Sequence, residues 1–112
     1  MTRTIDLPPA DSAIVRQMLR ICLPPDVEAW VFGSRATDSA RRYSDLDLAL
    51  RGDGPLDLDM IGRLKDALSD SDLTIKVDLV DLHTIDPGFA RRIAAEMVRL
   101  PFREDADAAG AR

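Results

Sequence analysis

The chain has 112 residues, which is the size of one domain with one modest hydrophobic core. Apolar side chains make up 46% of it and aromatic ones only 4%, so aliphatic residues must build that core. Fifteen basic residues against twenty acidic ones give a net charge of −5, which disfavours an electrostatic grip on DNA or RNA. A local site for a small polyanion is compatible with this charge.

Cysteine content and hydropathy indicate the compartment. The single cysteine, Cys22, excludes an internal disulfide framework and a cysteine-only metal site. It lies among apolar residues, as expected of a small core residue in a reducing compartment. No segment approaches the roughly 20 apolar residues of a membrane span, and the N-terminal residues contain no apolar region typical of a signal peptide. We therefore expect a cytoplasmic protein without membrane contact.

Hydrophobic periodicity predicts three helices and three strands, with a short helical turn after the first strand. The first helix precedes the first strand, and the other two follow the second and third strands. Proline pairs or single prolines bound the first and last helices, and Asp86 is a plausible cap of the last one. The predicted helices are 11–22, 57–68 and 87–100, and the predicted strands are 27–32, 46–50 and 76–82.

This order of elements predicts an α/β (α+β) fold in which a small three-stranded sheet is covered by helices on one face. The opposite face is then the place to look for a functional site. Residues 103–112 are polar, small and aperiodic, which indicates a disordered tail after a single domain spanning 1–102.

Three aspartates are predicted to share the open face of the sheet. Asp45 and Asp47 are separated by one residue at the start of the second strand, so their carboxylates point the same way. Asp78 has the same parity on the third strand, whereas Asp81 has the opposite parity and is expected to bind nearby backbone. If the two strands are neighbours, three carboxylates converge, enough for two Mg²⁺ ions about 4 Å apart. A solvated strand edge is the alternative interpretation.

A glycine-serine pair follows the first strand directly. Gly33 allows a close approach of backbone to a ligand, and Ser34 would begin a helical turn whose N–H groups point at an anion. Most such pairs are ordinary turns. Arg35 could neutralise phosphate charge or lie on the surface, and Arg41 and Arg42 could contact nucleotide or a partner, or be solvated.

The combined pattern resembles the polymerase-beta-type nucleotidyltransferases in their minimal form. It consists of a Gly-Ser pair, ten intervening residues, an Asp-x-Asp pair and a later aspartate on an apolar strand, and it covers about residues 12–100. The resemblance is carried by the segments 31–36, 44–48 and 77–80.

This resemblance implies a role for each site residue. Gly33 and Ser34 would hold the β- and γ-phosphates of a nucleoside triphosphate, and Asp45 and Asp47 would hold Mg²⁺. Asp78 would help to activate the acceptor hydroxyl. The implied reaction moves a nucleoside monophosphate, AMP from ATP, to that hydroxyl and releases pyrophosphate. The second strand must then be central, so that all these groups surround one nucleotide.

The sequence departs from the family pattern at two places. Asp38 stands where many relatives have glycine, and an aspartate tolerates a left-handed backbone less well. The shape of the 38–43 loop therefore depends on this residue. The segment 100–102 stands where relatives often have an apolar-tyrosine pair, so it offers no hydroxyl.

The acceptor is expected to be bound in trans, by a partner protein or a second copy, because the chain has no residues left for an acceptor-binding domain. The resemblance suggests a small helical HEPN-domain ribonuclease toxin as partner, with AMP added to a toxin tyrosine and the chain acting as antitoxin. Two alternatives remain open. One is a catalytic subunit that modifies a small-molecule hydroxyl such as that of an aminoglycoside, and the other is a non-catalytic antitoxin that acts by contact.

Overall fold

The computed structural model of the chain describes residues 4–103. Helices and strands alternate along most of the chain, and a short 3₁₀ turn, Gly33–Arg35, follows the first strand. The other elements are α1 (Pro9–Cys22), β1 (Glu28–Phe32), β2 (Leu46–Arg51), α2 (Leu58–Ser69), β3 (Val77–Asp81), α3 (Pro87–Ala94) and β4 (Val98–Arg99). Among the described residues, no helix combines the length and the apolar character that a membrane crossing requires.

The sheet is mixed, with strand order β3-β2-β1-β4. β1 is antiparallel to both β2 and β4, whereas β3 runs parallel to β2. The parallel pair requires a crossover connection, which α2 supplies. The predicted central position of the second strand, between the first and the third, is confirmed.

The main core lies between one face of the sheet and the helices α1 and α2. Leu46, Leu48 and Leu50 alternate along β2 towards this core and are fully buried. They pack with Leu19 of α1 and Leu64 of α2, which are also fully buried. Apart from Phe102, aliphatic side chains and Met60 make up the buried part of this core, as the low aromatic content predicts, and β2 is its central strand.

The prediction of a last helix reaching residue 100 is wrong. α3 ends at Ala94, and Val98–Arg99 instead pairs with Trp30 and Val31 at the edge of β1. Backbone pairing with an open strand edge has outweighed the helical spacing of the apolar residues. The sheet therefore has a fourth strand, and Leu100 is buried in the main core.

The prediction that the helices lie on one face of the sheet also needs correction. Ile93 and Phe89 of α3 pack against Phe32 and Ala49 on the face opposite to α1 and α2. The rings of Phe32 and Phe89 meet edge to face, with centroids 6.1 Å apart. Phe32 and Ala49 are apolar residues on this second face, and the packing of α3 keeps them buried from solvent.

Two expectations concern less central parts of the chain. Cys22 is half-buried and packs against the main core, as expected of a small core residue.

Arg103, the first residue of the predicted tail, donates a hydrogen bond from Nη2 to the Leu23 carbonyl at 2.6 Å, so it is held by the domain. The rest of the predicted tail, 104–112, lies outside the described residues.

The loop before β2 contains a strained residue. Asp38 has a φ of 61°, and it is the one non-glycine residue with a positive φ among residues 4–103. This backbone conformation is one that glycine adopts without cost, which agrees with the frequent glycine at this position in the resembling family.

We expect Asp38→Gly to raise the free energy of unfolding by up to about 1.5 kcal/mol. Relief of the left-handed strain, roughly 1–2 kcal/mol, exceeds the added entropy of the unfolded chain, roughly 0.5–1 kcal/mol. Urea unfolding measures the difference. Asp53→Gly, at an exposed turn position without a positive φ, is the matched control and should lower stability. Equal effects of the two substitutions would contradict the strain at Asp38.

Candidate active site

A glycine turn brings the end of β1 against the start of β2. Phe32 is the partner of Asp47 in the β1–β2 ladder, so Gly33 follows at the level of this aspartate. Gly33 has a φ of 75°, and a Cβ atom at this position would overlap Asp47 Oδ2. Glycine is therefore required for two reasons, the left-handed backbone and the close approach to the carboxylate.

The three predicted aspartates lie on neighbouring strands of the sheet. In the parallel β2–β3 ladder, Asp47 is the direct partner of Asp78, and Asp45 precedes β2 by one residue. Burial raises the pKa of the Asp47 carboxyl, and the negative charges of Asp78, Asp45 and Glu96 raise it further. These carboxylates therefore repel one another, and within residues 4–103 no ion pair reaches Asp45, Asp47 or Glu96.

The arrangement suits an oxygen-binding cation. Its donors are carboxylate oxygens on adjacent strands, the ligand type that Mg²⁺ prefers. Lys76 forms an ion pair with one of these carboxylates: its Nζ lies 3.7 Å from Asp78 Oδ1, and the exposure of this pair means that it compensates little charge. Within residues 4–103, no three acidic, histidine or cysteine side chains are gathered as closely as a bound metal requires. The side chains would therefore have to close on an ion to bind it.

Glu96 is a site residue that the sequence reasoning missed. The Gly33 N–H donates a hydrogen bond to Glu96 Oε2 at 2.5 Å, and the Glu96 charge contributes to the raised pKa of Asp47. The predicted long helix assigned Glu96 no role. No local signal marks it, because it reaches the glycine turn only when α3 ends at Ala94 and the chain turns into β4.

The expectation that Arg35 contacts nucleotide is not consistent with its placement. The side chain is 2% exposed, and its three nitrogens donate to backbone carbonyls. Nε and Nη2 bind the Ser44 carbonyl at 3.1 and 2.9 Å, and Nη1 binds the Asp6 carbonyl at 2.8 Å. Arg35 is therefore not a surface residue, and its hydrogen bonds hold the loop that leads into Asp45.

The two other arginines considered from the sequence lie in that loop. The carbonyls of Arg41 and Arg42 also face the Arg35 guanidinium, at 3.4 and 3.3 Å, while both their own side chains are exposed. Arg42 covers the ring of Tyr43, with 5.3 Å between the guanidinium carbon and the ring centroid. Their side chains are therefore available to a ligand or partner.

Asp81 lies away from the site, as predicted from the alternation of side chains along the third strand. It is buried on the other face of β3, where Oδ2 accepts a hydrogen bond from the Leu56 N–H at 2.7 Å. Oδ1 accepts from the His83 N–H at 2.9 Å. Its role as a backbone-binding carboxylate is confirmed.

Comparison with known families agrees with this geometry. The family model described as polymerase beta, nucleotidyltransferase, matches residues 25–105, which include the glycine turn and all three aspartates. The chain belongs to this nucleotidyltransferase family.

One named relative and two solved structures are similar to this chain over most of its length. A Haemophilus influenzae protein named "probable protein adenylyltransferase MntA" is 41% identical over 100 residues, which cover 89% of this chain and 87% of that protein. A crystal structure of a toxin-antitoxin with AMP-PNP matches at 26% identity with a TM-score of 0.66, covering 88% of this chain and 78% of the other. A Shewanella oneidensis complex of tri-AMPylated HEPN toxin with MNT antitoxin matches in fold, at 23% identity and a TM-score of 0.61, covering 89% and 76%.

We expect Asp47→Asn to stabilise the metal-free protein at neutral pH. Because the folded-state pKa of Asp47 is above its ordinary value, the folded wild type binds more protons than the unfolded chain between these two values. Its stability therefore falls as pH rises through that window, and above it the ionised carboxylate is a net cost that asparagine removes.

Urea unfolding in a chelating buffer, from acid to neutral pH, measures this effect. The stability of Asp47→Asn relative to wild type should grow as pH rises and then level off. Asp53→Asn, in an exposed turn, controls for the loss of one negative charge. An Asp47→Asn protein less stable than wild type at pH 7 in this buffer would be evidence against the proposed repulsion.

Proposed function

We propose that the chain is a Mg²⁺-dependent protein adenylyltransferase. It transfers AMP from ATP to a hydroxyl group of a HEPN-type toxin protein and thereby acts as its antitoxin. The observation that carries this proposal is the approach of Gly33 to Asp47, which is itself in register with Asp78. The name of the Haemophilus influenzae relative supports the reaction, and the structure of the tri-AMPylated HEPN toxin with MNT antitoxin supports the type of partner.

The glycine turn receives the phosphates. Its shape is held locally, since the Ser34 carbonyl accepts hydrogen bonds from the N–H groups of Thr37 and Ser39 at 3.4 and 3.1 Å. Ser34 would bind the β- and γ-phosphates from this turn. The Gly33 N–H is bound to Glu96 and becomes a phosphate donor only when the glutamate turns away.

The carboxylates of Asp45, Asp47 and Asp78 would hold Mg²⁺, with two ions as the upper limit that the resemblance suggests. When bound there, Mg²⁺ offsets the charge of the triphosphate and of the three carboxylates. The resting repulsion at Asp47 is thus relieved only in the loaded site.

Asp78 carries the acid–base part of the reaction. Its carboxylate accepts the proton of the acceptor hydroxyl as that oxygen bonds to the α-phosphorus. The bond from the α-phosphorus to the bridging oxygen breaks, and pyrophosphate leaves. The half-exposed Asp78 side chain is open to an incoming hydroxyl, whereas Asp47 is more enclosed between β1 and β3.

We expect Asp78→Asn to lower the rate of AMP transfer by about 10²–10⁴-fold, the usual contribution of a positioned general base. Folding should be nearly unchanged, because this side chain is outside the packed core. The experiment incubates the protein with ATP, Mg²⁺ and the purified HEPN-type partner, and measures AMP adducts on the partner by mass spectrometry. Asp72→Asn, in the exposed loop ahead of β3, is the matched control and should transfer normally.

Two results would contradict the proposal. One is the absence of adducts with wild type while wild type and Asp78→Asn both neutralise the toxin, which would indicate an antitoxin acting by contact. The other is AMP transfer to an aminoglycoside hydroxyl but not to the partner protein, which would indicate a small-molecule acceptor.

A further inference from the structure

A groove runs along the outer side of β3, next to the site. It has a volume of about 520 Å³ and lies between β3 and the C-terminal half of α2. Leu68, Leu73 and Leu79 line its apolar floor, and Lys65, Lys76 and Asp78 lie at its rim. We call it the α2–β3 groove. Asp78 therefore belongs both to the carboxylate cluster and to the groove.

The β3 side of the groove is an open strand edge. β3 is the terminal strand of the sheet, and the Lys76 carbonyl and the Leu82 N–H pair with β2 at 2.8 and 3.0 Å. Because alternate residues of a parallel edge strand bond to the neighbour, the backbone groups of Val77 and Leu79 point away from β2. They are available to hydrogen-bond with another polypeptide.

The charge of the groove is opposite to that of the whole chain. The net charge is −5, yet both lysines of the sequence, Lys65 and Lys76, line this groove. Lys76 pairs weakly with Asp78, and within residues 4–103 no ion pair involves Lys65. This rim favours an acidic ligand and disfavours a polycationic one such as an aminoglycoside.

The position of the groove also separates it from the nucleotide. The glycine turn that would hold the triphosphate is at the end of β1, on the other side of β2 from β3. In-line attack needs the acceptor opposite the leaving pyrophosphate. An acceptor that reaches Asp78 from the β3 side satisfies this requirement, and one from the β1 side does not.

We propose that the α2–β3 groove binds the acidic polypeptide segment that carries the acceptor hydroxyl. Apolar side chains of that segment lie on the leucine floor, its carboxylates approach Lys65 and Lys76, and its hydroxyl reaches Asp78. This inference rests on the proposed function, and it assigns the acceptor site that the function requires.

The test measures KM for the HEPN-type partner and for ATP separately, in the AMP-transfer reaction. Lys65→Glu should raise the KM for the partner at least tenfold at low salt, with kcat and the KM for ATP unchanged. The increase should shrink at high salt, because exposed charges are screened. Arg63→Glu is the matched control: it makes the same charge change two residues earlier on α2, outside the groove, and should alter neither KM.

A second pair of variants tests the groove by shape instead of charge. Ser69→Trp places a large side chain in the groove from an exposed position and should also raise the KM for the partner. Asp66→Trp, exposed on α2 and outside the groove, should not. Unchanged KM values for the partner in both Lys65→Glu and Ser69→Trp would overturn the proposal, as would a rise confined to the KM for ATP.

A failure of the groove proposal can be distinguished from a failure of the proposed function. If wild type transfers no AMP to the partner, the proposed function fails. Calorimetric binding of the same partner to wild type, Lys65→Glu and Ser69→Trp then decides the groove alone. Loss of binding in both variants supports it, and undiminished binding in both refutes it.

Discussion

Repulsion among carboxylates on neighbouring strands is the constraint on which the site depends. Asp47 lies in register with Asp78, two residues after Asp45, and the negative charge of Glu96 also acts on it. Such a cluster costs stability unless a cation joins it, so a fold selected for stability alone would not retain it. The same uncompensated charge is what the proposed binding of Mg²⁺ together with a triphosphate requires.

The rest of the fold holds these charges close in spite of that cost. The fully buried leucines of β2 fix the central strand in the core, and the parallel ladder to β3 then sets the Asp47–Asp78 pairing. The buried Arg35 holds the loop in front of Asp45 through backbone carbonyls. Gly33 is the one residue type that permits the turn against Asp47. The scaffold thus fixes the backbone positions from which the carboxylates would close on an ion.

The parts of the site that the sequence predicted are those set by local periodicity. The period of two along a strand placed Asp45, Asp47 and Asp78 on one face and Asp81 on the other. The neighbouring position of the second and third strands could not be read from periodicity and came from the family resemblance. Asp38 was marked by the same resemblance, and its positive φ explains why glycine suits that position.

The parts that were missed depend on contacts between distant segments. β4 forms because the edge of β1 is open to Val98–Arg99, and helical spacing alone cannot reveal this competition. Glu96 enters the site as a consequence, and α3 packs on the second face because Phe32 and Ala49 need cover there. The role of Arg35 was missed for a similar reason, since its carbonyl partners are assembled only when the loop folds back.

Calorimetry of ATP binding with and without Mg²⁺, on wild type and on the double variant Asp45→Asn/Asp47→Asn, tests the central claim most directly. If the carboxylate cluster exists to bind the metal-nucleotide pair, wild type binds ATP weakly in chelating buffer and more tightly with Mg²⁺. The double variant then loses most of this gain. Equal affinity of both proteins for Mg²⁺-ATP would contradict the account, because the aspartates would then be no more than a solvated strand edge.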